Sequence, residues 1–181
     1  GGSKGVPDKN IKELNGKPLM AYTIEQALES KLFEHIVVST DSNDIAMMAK
    51  NYGAEAWFLR PAEMATDDSA KIPAIRHALL ESEKFYKKKF EVVIDLDVTS
   101  PLRIVKDIIE AYNQFIIENA DILITANKSR KNPYFNMIHK VDQRIEKLLP
   151  TSKNFTTRQN APTVYDMNAS IYIWKREALI I

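Results

Sequence analysis

Short β-branched apolar runs alternate along this chain with stretches whose apolar residues recur at helical spacing, and that alternation restricts it to an α/β architecture. His35 to Thr40, Glu55 to Leu59, Glu91 to Leu96 and Asp121 to Ala126 read as strands. Ahead of them, Pro18 to Ser30 carries Met20, Ile24, Ala27 and Leu28 on one face, and after the first strand Ile45, Met48, Ala49 and Tyr52 form a second stripe. Ile72, Ile75 and Leu79 mark a third helix, and Ile104 to Phe115 a fourth that opens at Thr99 to Pro101. Four such alternations predict a mostly parallel sheet with helices on both faces, a three-layer α/β sandwich, because right-handed crossovers distribute helices to the two sides. Ligands bind such sheets beyond the carboxyl ends of the strands, where Ser39 to Asp41, Arg60, and Asp95 to Ser100 are expected to collect.

The pattern breaks at Asn127. A basic stretch, Lys128 to Lys131, and Asn132-Pro133 introduce about forty irregular residues before Ala169 to Trp174 resumes as a strand. Tyr134, Phe135, Met137, Ile138, Val141, Leu148 and Leu149 give this stretch apolar surface but too little for its own core. Residues 127–168 are therefore expected to form an arm inserted into one domain spanning 1–181, packed against a second copy of the chain or folded back as a lid; the homodimer is the preferred reading. At 181 residues and 45% hydrophobic, the chain suits one domain rather than two.

The first ten residues, Gly-Gly-Ser-Lys-Gly-Val-Pro-Asp-Lys-Asn, hold three of the five glycines. Glycines there let backbone amides approach an anion, and Lys4 and Lys9 stand where they can neutralise it. With Ser3 and Asn10 the stretch reads as a polyphosphate loop, or else as a frayed terminus. It is neither a GxxxxGK[ST] loop nor a GxGxxG fingerprint. A net charge of +1 with interspersed signs gives no footprint for nucleic acid or a membrane surface. Without cysteine, and with three scattered histidines, any metal should be held by oxygen. No apolar run reaches spanning length and no signal peptide is visible, so a cytoplasmic protein is expected.

Asp95 and Asp97 end the most apolar strand on alternate positions and share a face if the strand stays regular. They suit Mg2+ shared with substrate phosphates, Asp97 foremost; otherwise Asp95 caps the next helix or ties down a loop, with no metal. Arg60, Arg103 and Arg158 can each fork onto a carboxylate or phosphate. Asp166 and Asn168 suit sugar hydroxyls, or simply a turn into the last strand.

Gly2 to Asn10, Val38-Ser39-Thr40-Asp41, Arg60-Pro61-Ala62-Glu63, Thr99-Ser100-Pro101-Leu102-Arg103 and Asn168-Ala169-Ser170-Ile171-Tyr172 occur in one order and spacing. In this the chain resembles the cytidylyltransferases that make CMP-activated nonulosonic acids, the CMP-sialic acid synthetases, and most nearly their bacterial legionaminic acid branch. The resemblance implies a Rossmann-like nucleotidyltransferase sheet and a reaction in which CTP and a nine-carbon 2-keto sugar acid give CMP-sugar and pyrophosphate with Mg2+. It implies that Gly2, Ser3, Lys4 and Lys9 cradle the triphosphate, with Lys9 and Lys4 countering charge that develops in transfer. Asn10 is then a ribose or base contact, Arg60 lies near the cytosine and Ser69 near the ribose. Arg158, with Gln159 beside it, holds the sugar carboxylate from a dimerisation arm that completes the partner's site, and Asn168 lies on the sugar-side strand.

Two departures qualify the match. Asp97-Val98 stands where the family has Gln-Pro, which favours legionaminic over N-acetylneuraminic acid and leaves Asp97 as a sugar contact or a metal ligand. The family's opening strand and its C-terminal Asp-x-Asp pair have no counterpart, from which both ends are expected to be missing. Two other readings compete: a nucleotidyltransferase for another sugar acceptor, and a nucleotide-binding module without turnover.

Overall fold

In the computed structural model, residues 6–65, 70–149, 153 and 155–181 are described. The chain forms two compact units, one of residues 1–124 with 169–181 and the other of Thr125–Asn168.

The first unit opens with a hairpin, β1 (Glu13–Leu14) against β2 (Lys17–Pro18), that the apolar pattern did not suggest. Its two turn residues are Asn15 and Gly16, both at positive φ (53° and 77°). Asn-Gly is the dipeptide a two-residue hairpin turn favours. Pro18 therefore precedes α1 (Leu19–Ser30), which buries Met20, Ala21, Thr23, Ile24 and Ala27. α2 (Asn43–Asn51) starts at Ser42, whose hydroxyl accepts the Ile45 amide at 3.4 Å. Met20, Ile24, Ile45, Ala49 and Ala54 close into one apolar cluster, so α1 and α2 pack through the stripes read from sequence.

Between them the expected strands at 35–40 and 55–59 reduce to one parallel bridge, Val37 to Glu55. The Glu55 amide donates to Ile36 and the Arg60 amide to Thr40, so one side advances four residues (36 to 40) while the other advances five (55 to 60). That extra residue breaks the ladder.

α3 (Lys71–Tyr86) leads to β3 (Val92–Leu96), α4 (Val105–Ile117) and β4 (Ile122–Lys128). The Asp107 carboxylate accepts the Ile104 amide at 2.9 Å and fixes the start of α4. β7 (Tyr165–Lys175) returns between β3 and β4, and α5 (Arg176–Ile180) follows. β7 runs antiparallel to β3, with Ile94 opposite Ile173 and Asp95 opposite Tyr172. The mostly parallel sheet is thus corrected for the described residues: the chain leaves through β4 and comes back through β7 without the helical crossover that parallel pairing needs. Period-two alternation along β7 sends Ile171 and Ile173 into a cluster with Ile108, Ala111 and Phe115 of α4. Trp174 and Tyr172 join Leu79 of α3 and Leu179 of α5. Helices therefore cover β7 on both faces in a mixed α/β fold.

The second unit is more regular than its sequence suggests. β5 (Ile138–Val141) and β6 (Arg144–Lys147) form an antiparallel hairpin turned at Asp142 (φ 54°). Asn132, buried, organises the preceding turn: its side-chain amide donates to the Pro162 carbonyl at 2.8 Å, and its Oδ1 accepts the Tyr134 amide at 3.0 Å.

Candidate functional site

A cavity of about 370 Å³ opens beyond the end of β3 in the first unit, lined by Asp8, Lys9, Asn10, Ile45, Arg60, Lys71 and Asp95 to Thr99. Lys9 and Asn10 reach it on a single 3-10 turn, Lys9–Ile11, entered through Asp8 at φ 52° and closed by the Ile11 amide on the Asp8 carbonyl at 3.0 Å. Arg60 is set by two bonds to the neighbouring segment. Its Nη2 donates to the Ser39 carbonyl at 3.1 Å and its amide to Thr40 at 2.8 Å, while Nε is buried without a partner among the described residues. Four of the residues expected to bind nucleotide or metal, Lys9, Asn10, Arg60 and Asp97, thus line one cavity. Gly2, Ser3, Lys4 and Ser69 lie outside the described residues.

The carboxylates at the end of β3 are not solitary. Lys71, the first residue of α3, places its ammonium 2.5 Å from Asp95 Oδ2 and 3.3 Å from Asp97 Oδ2. Asp97 Oδ1 accepts the amide of Thr99 at 2.7 Å and its hydroxyl at 2.6 Å, a turn that fixes the carboxylate in the cavity lining. Burial pushes the Asp95 carboxyl above its usual range even with Lys71 beside it. Burial acts on Asp97 in the same sense, but the two Thr99 bonds and the Lys71 ammonium outweigh it and hold that carboxyl low. For Lys71, burial is outweighed by the two carboxylates, which raise it and keep it charged. Asp95 does not cap the next helix; Asp107 does.

Lys71 was not among the residues singled out from sequence. The signal was indirect: two acids closing an apolar strand require a cation, and nothing local names it. Arg103 is placed differently from its reading as an anion fork. It is buried, with Nη1 donating to the carbonyls of Ser170 at 2.7 Å and Asp97 at 3.3 Å, and Nη2 donating to Thr23 Oγ1 at 3.1 Å. It ties the site turn to β7 rather than facing a ligand.

Arg158 and Gln159 lie in the second unit on an exposed 3-10 turn, Arg158–Asn160. Asn168 is in the same unit, its Oδ1 accepting the Thr125 hydroxyl at 2.8 Å and its Nδ2 donating to Asn127 Oδ1 at 3.4 Å. Among the described residues, no helix is long and apolar enough to cross a membrane, and no three acidic or histidine side chains converge as a metal cage.

A family model described as cytidylyltransferase matches residues 1–181. The chain is 53% identical to post-translational flagellin modification protein B of Campylobacter coli, over 99% of its own length and 76% of that relative. It is 52% identical to CMP-N,N'-diacetyllegionaminic acid synthase of Campylobacter jejuni subsp. jejuni, again over 99% of this chain and 76% of that one. A solved structure of CMP:2-keto-3-deoxy-manno-octonic acid synthetase complexed with CTP shares the fold at a TM-score of 0.67 and 17% identity, covering 99% of this chain and 72% of that one. With its strand-end cavity of cations and carboxylates, and with these matches along its whole length, the chain belongs to the cytidylyltransferase family.

Proposed function

We propose that this chain activates a legionaminic-type nonulosonic acid with CTP, giving the CMP-sugar and pyrophosphate. The observation that carries the reading is the 52% identity, along nearly the whole chain, to a protein named for CMP-N,N'-diacetyllegionaminic acid synthesis. The cavity supports it chemically. In the reaction the anomeric hydroxyl oxygen bonds to the α-phosphorus, the bond from that phosphorus to the bridging oxygen breaks, pyrophosphate departs and the hydroxyl proton is released. Little covalent chemistry falls to the protein, so the work is positioning and charge neutralisation.

Lys9, with Lys4, takes the role of countering charge on the triphosphate as pyrophosphate leaves. Gly2, Ser3, Asn10, Arg60 and Ser69 bind the nucleotide; the buried Arg60 Nε, unpartnered among the described residues, fits a donor waiting for a base or phosphate acceptor. Arg158, Gln159 and Asn168 hold the sugar acid, Arg158 through its carboxylate. A homodimer is the assembly we propose, with the second unit as its arm, because Ile138, Ile145 and Met167 in that unit are each more than 60% exposed (66%, 69% and 62%). We place the enzyme in the cytoplasm, where CTP is available.

Asp95 and Asp97 fit Mg2+ as a donor set: both are hard oxygen ligands, and their hold on an ammonium supports the pair as a place for a cation. Mg2+ typically takes one or two carboxylates and fills its shell with waters and substrate phosphates, and when bound here it would supply positive charge to the triphosphate. Pyrophosphate release from CTP with Mg2+, compared across legionaminic, N-acetylneuraminic and pseudaminic acids, tests the whole reading. Release with legionaminic acid is expected; release with none of the three would overturn it.

A further inference from the structure

Asp97 has two carboxylate oxygens, and both are engaged. Oδ1 is held by the amide and hydroxyl of Thr99 at 2.7 and 2.6 Å, and Oδ2 faces the ammonium of Lys71 at 3.3 Å. The same ammonium lies 2.5 Å from Asp95 Oδ2 and 5.1 Å from the centre of the Tyr172 ring, so carboxylates and an aromatic face surround it. A divalent cation that reaches Asp97 must therefore open the Thr99 turn or come close against the ammonium at Oδ2. The turn is local, doubly bonded and part of the backbone path out of β3. Lys71 is the more mobile obstacle, a flexible four-carbon stem whose side chain is 44% exposed, on the first residue of its helix. A divalent ion and an ammonium cannot share these two carboxylates without strong mutual repulsion.

We propose that Lys71 is a tethered counter-cation that occupies the divalent position of this site while the nucleotide is absent, and that metal entry displaces its ammonium into the cavity. Such an ion offsets part of the mutual repulsion of two close carboxylates in the resting protein. It also weakens metal binding in the absence of CTP, whose triphosphate brings the negative charge that retains both cations. Once displaced, the ammonium is still carried by α3 at the rim of the cavity it shares with Lys9 and Arg60, where an anionic substrate can take it up. The inference rests on the Mg2+ use proposed above.

The test reads metal occupancy rather than turnover. Free Mn2+, measured by electron paramagnetic resonance in titrations without nucleotide, should show Lys71→Met binding about tenfold tighter than wild type, with Lys71→Arg binding as weakly as wild type. Adding Asp97→Asn to Lys71→Met should abolish the gain. A Lys71→Met chain that binds Mn2+ no better than wild type overturns the proposal, as does a gain that survives Asp97→Asn. In the unmodified protein, acetylation of Lys71 by acetic anhydride, read by mass spectrometry, should accelerate when Mn2+ is added. An unchanged rate overturns the proposal without relying on any variant to fold. Pyrophosphate release by wild type in the presence of a chelator would instead remove the Mg2+ premise, whatever the Mn2+ titrations show.

Discussion

The guanidinium of Arg103 donates to the backbone carbonyl of Ser170 at 2.7 Å, fastening the turn that follows β3 to the strand β7 paired beside it. Nη1 also reaches the Asp97 carbonyl, Nη2 reaches Thr23, and the residue is 6% exposed, so truncation removes a buried guanidinium that bonds to Ser170, Asp97 and Thr23 and leaves a cavity in its place. Arg103→Ala should therefore cost about 3 kcal/mol in equilibrium urea unfolding, and Arg103→Lys, which keeps the charge but not the fork, about 2. A midpoint unchanged in both variants would refute the role.

Lys9 stands on a single helical turn at the cavity and forms no side-chain ion pair among the described residues. A lysine that counters charge developing during transfer contributes more in the transition state than in the ground state. Lys9→Ala should accordingly lower kcat about a hundredfold while weakening CTP binding much less. Equal losses in kcat and in CTP affinity would show a cation that only binds.

Arg158 lies on an exposed turn of the second unit. If it grips the sugar carboxylate, Arg158→Ala should leave the calorimetric Kd for CTP unchanged and raise KM for the acid about tenfold or more. Unaltered kinetics toward the acid would transfer carboxylate recognition elsewhere.

Glu83 on α3 and Arg176 on α5 make a two-bond fork, Nε to Oε1 at 2.6 Å and Nη2 to Oε2 at 2.9 Å. The Arg176 bonds come first among the causes that hold the Glu83 carboxyl below its usual value, ahead of the opposing effect of burial; the Phe90 amide adds to them. A carboxyl lowered by folding contributes stability that is complete above its unfolded value, about 4.3, and is lost as pH falls through the lower folded value. Glu83→Gln should lower the melting temperature at pH 7, and the gap from wild type should close below about pH 4. A gap that persists at pH 3 would mean packing, not charge, accounts for the loss.

Ala169 sits at φ 56° inside β7, a left-handed position that costs an alanine about 1 kcal/mol or more. Part of that is offset by the greater freedom glycine has when unfolded, so Ala169→Gly should stabilise by about 0.5 kcal/mol. A lower unfolding midpoint would show that the methyl group packs well enough to outweigh the strain.

The helices were readable because amphipathic spacing is a local property: Met20 and Ile24 of α1, Ile45 and Ala49 of α2 and Ile108 and Phe115 of α4 are buried in the clusters, although Leu28 and Ile104 stay exposed. Strand direction is not local, and the Ala169 to Trp174 run gave no sign that it would return antiparallel to β3. The runs at 35–40 and 55–59 have strand composition, yet a one-residue mismatch between them leaves a single bridge. Asn15-Gly16 was a genuine local signal passed over because the strands it joins are only two residues long. At the site, Arg60 and Asp97 were found because strand-end positions converge in such sheets, and Lys9 and Asn10 because a glycine-rich stretch with cations reads as an anion loop. Lys71 was not, since its part depends on where the first turn of α3 lands beside β3, and Arg103 was misread because an arginine buried among backbone carbonyls looks in sequence like one that faces a ligand.

β7 lies between β3 and β4, yet it is supplied by residues 165–175, after both neighbours and nearly all of the second unit have been made. Until then Ile108 and Phe115 of α4 have no Ile171 and Ile173 to cover them, and the edges of β3 and β4 that β7 will join are unpaired. A ribosome-bound intermediate truncated near residue 160 thus carries an open slot in its sheet. Completion of the sheet is a late, long-range closure, and it makes the nascent protein a candidate for chaperone capture in the interval before its centre arrives.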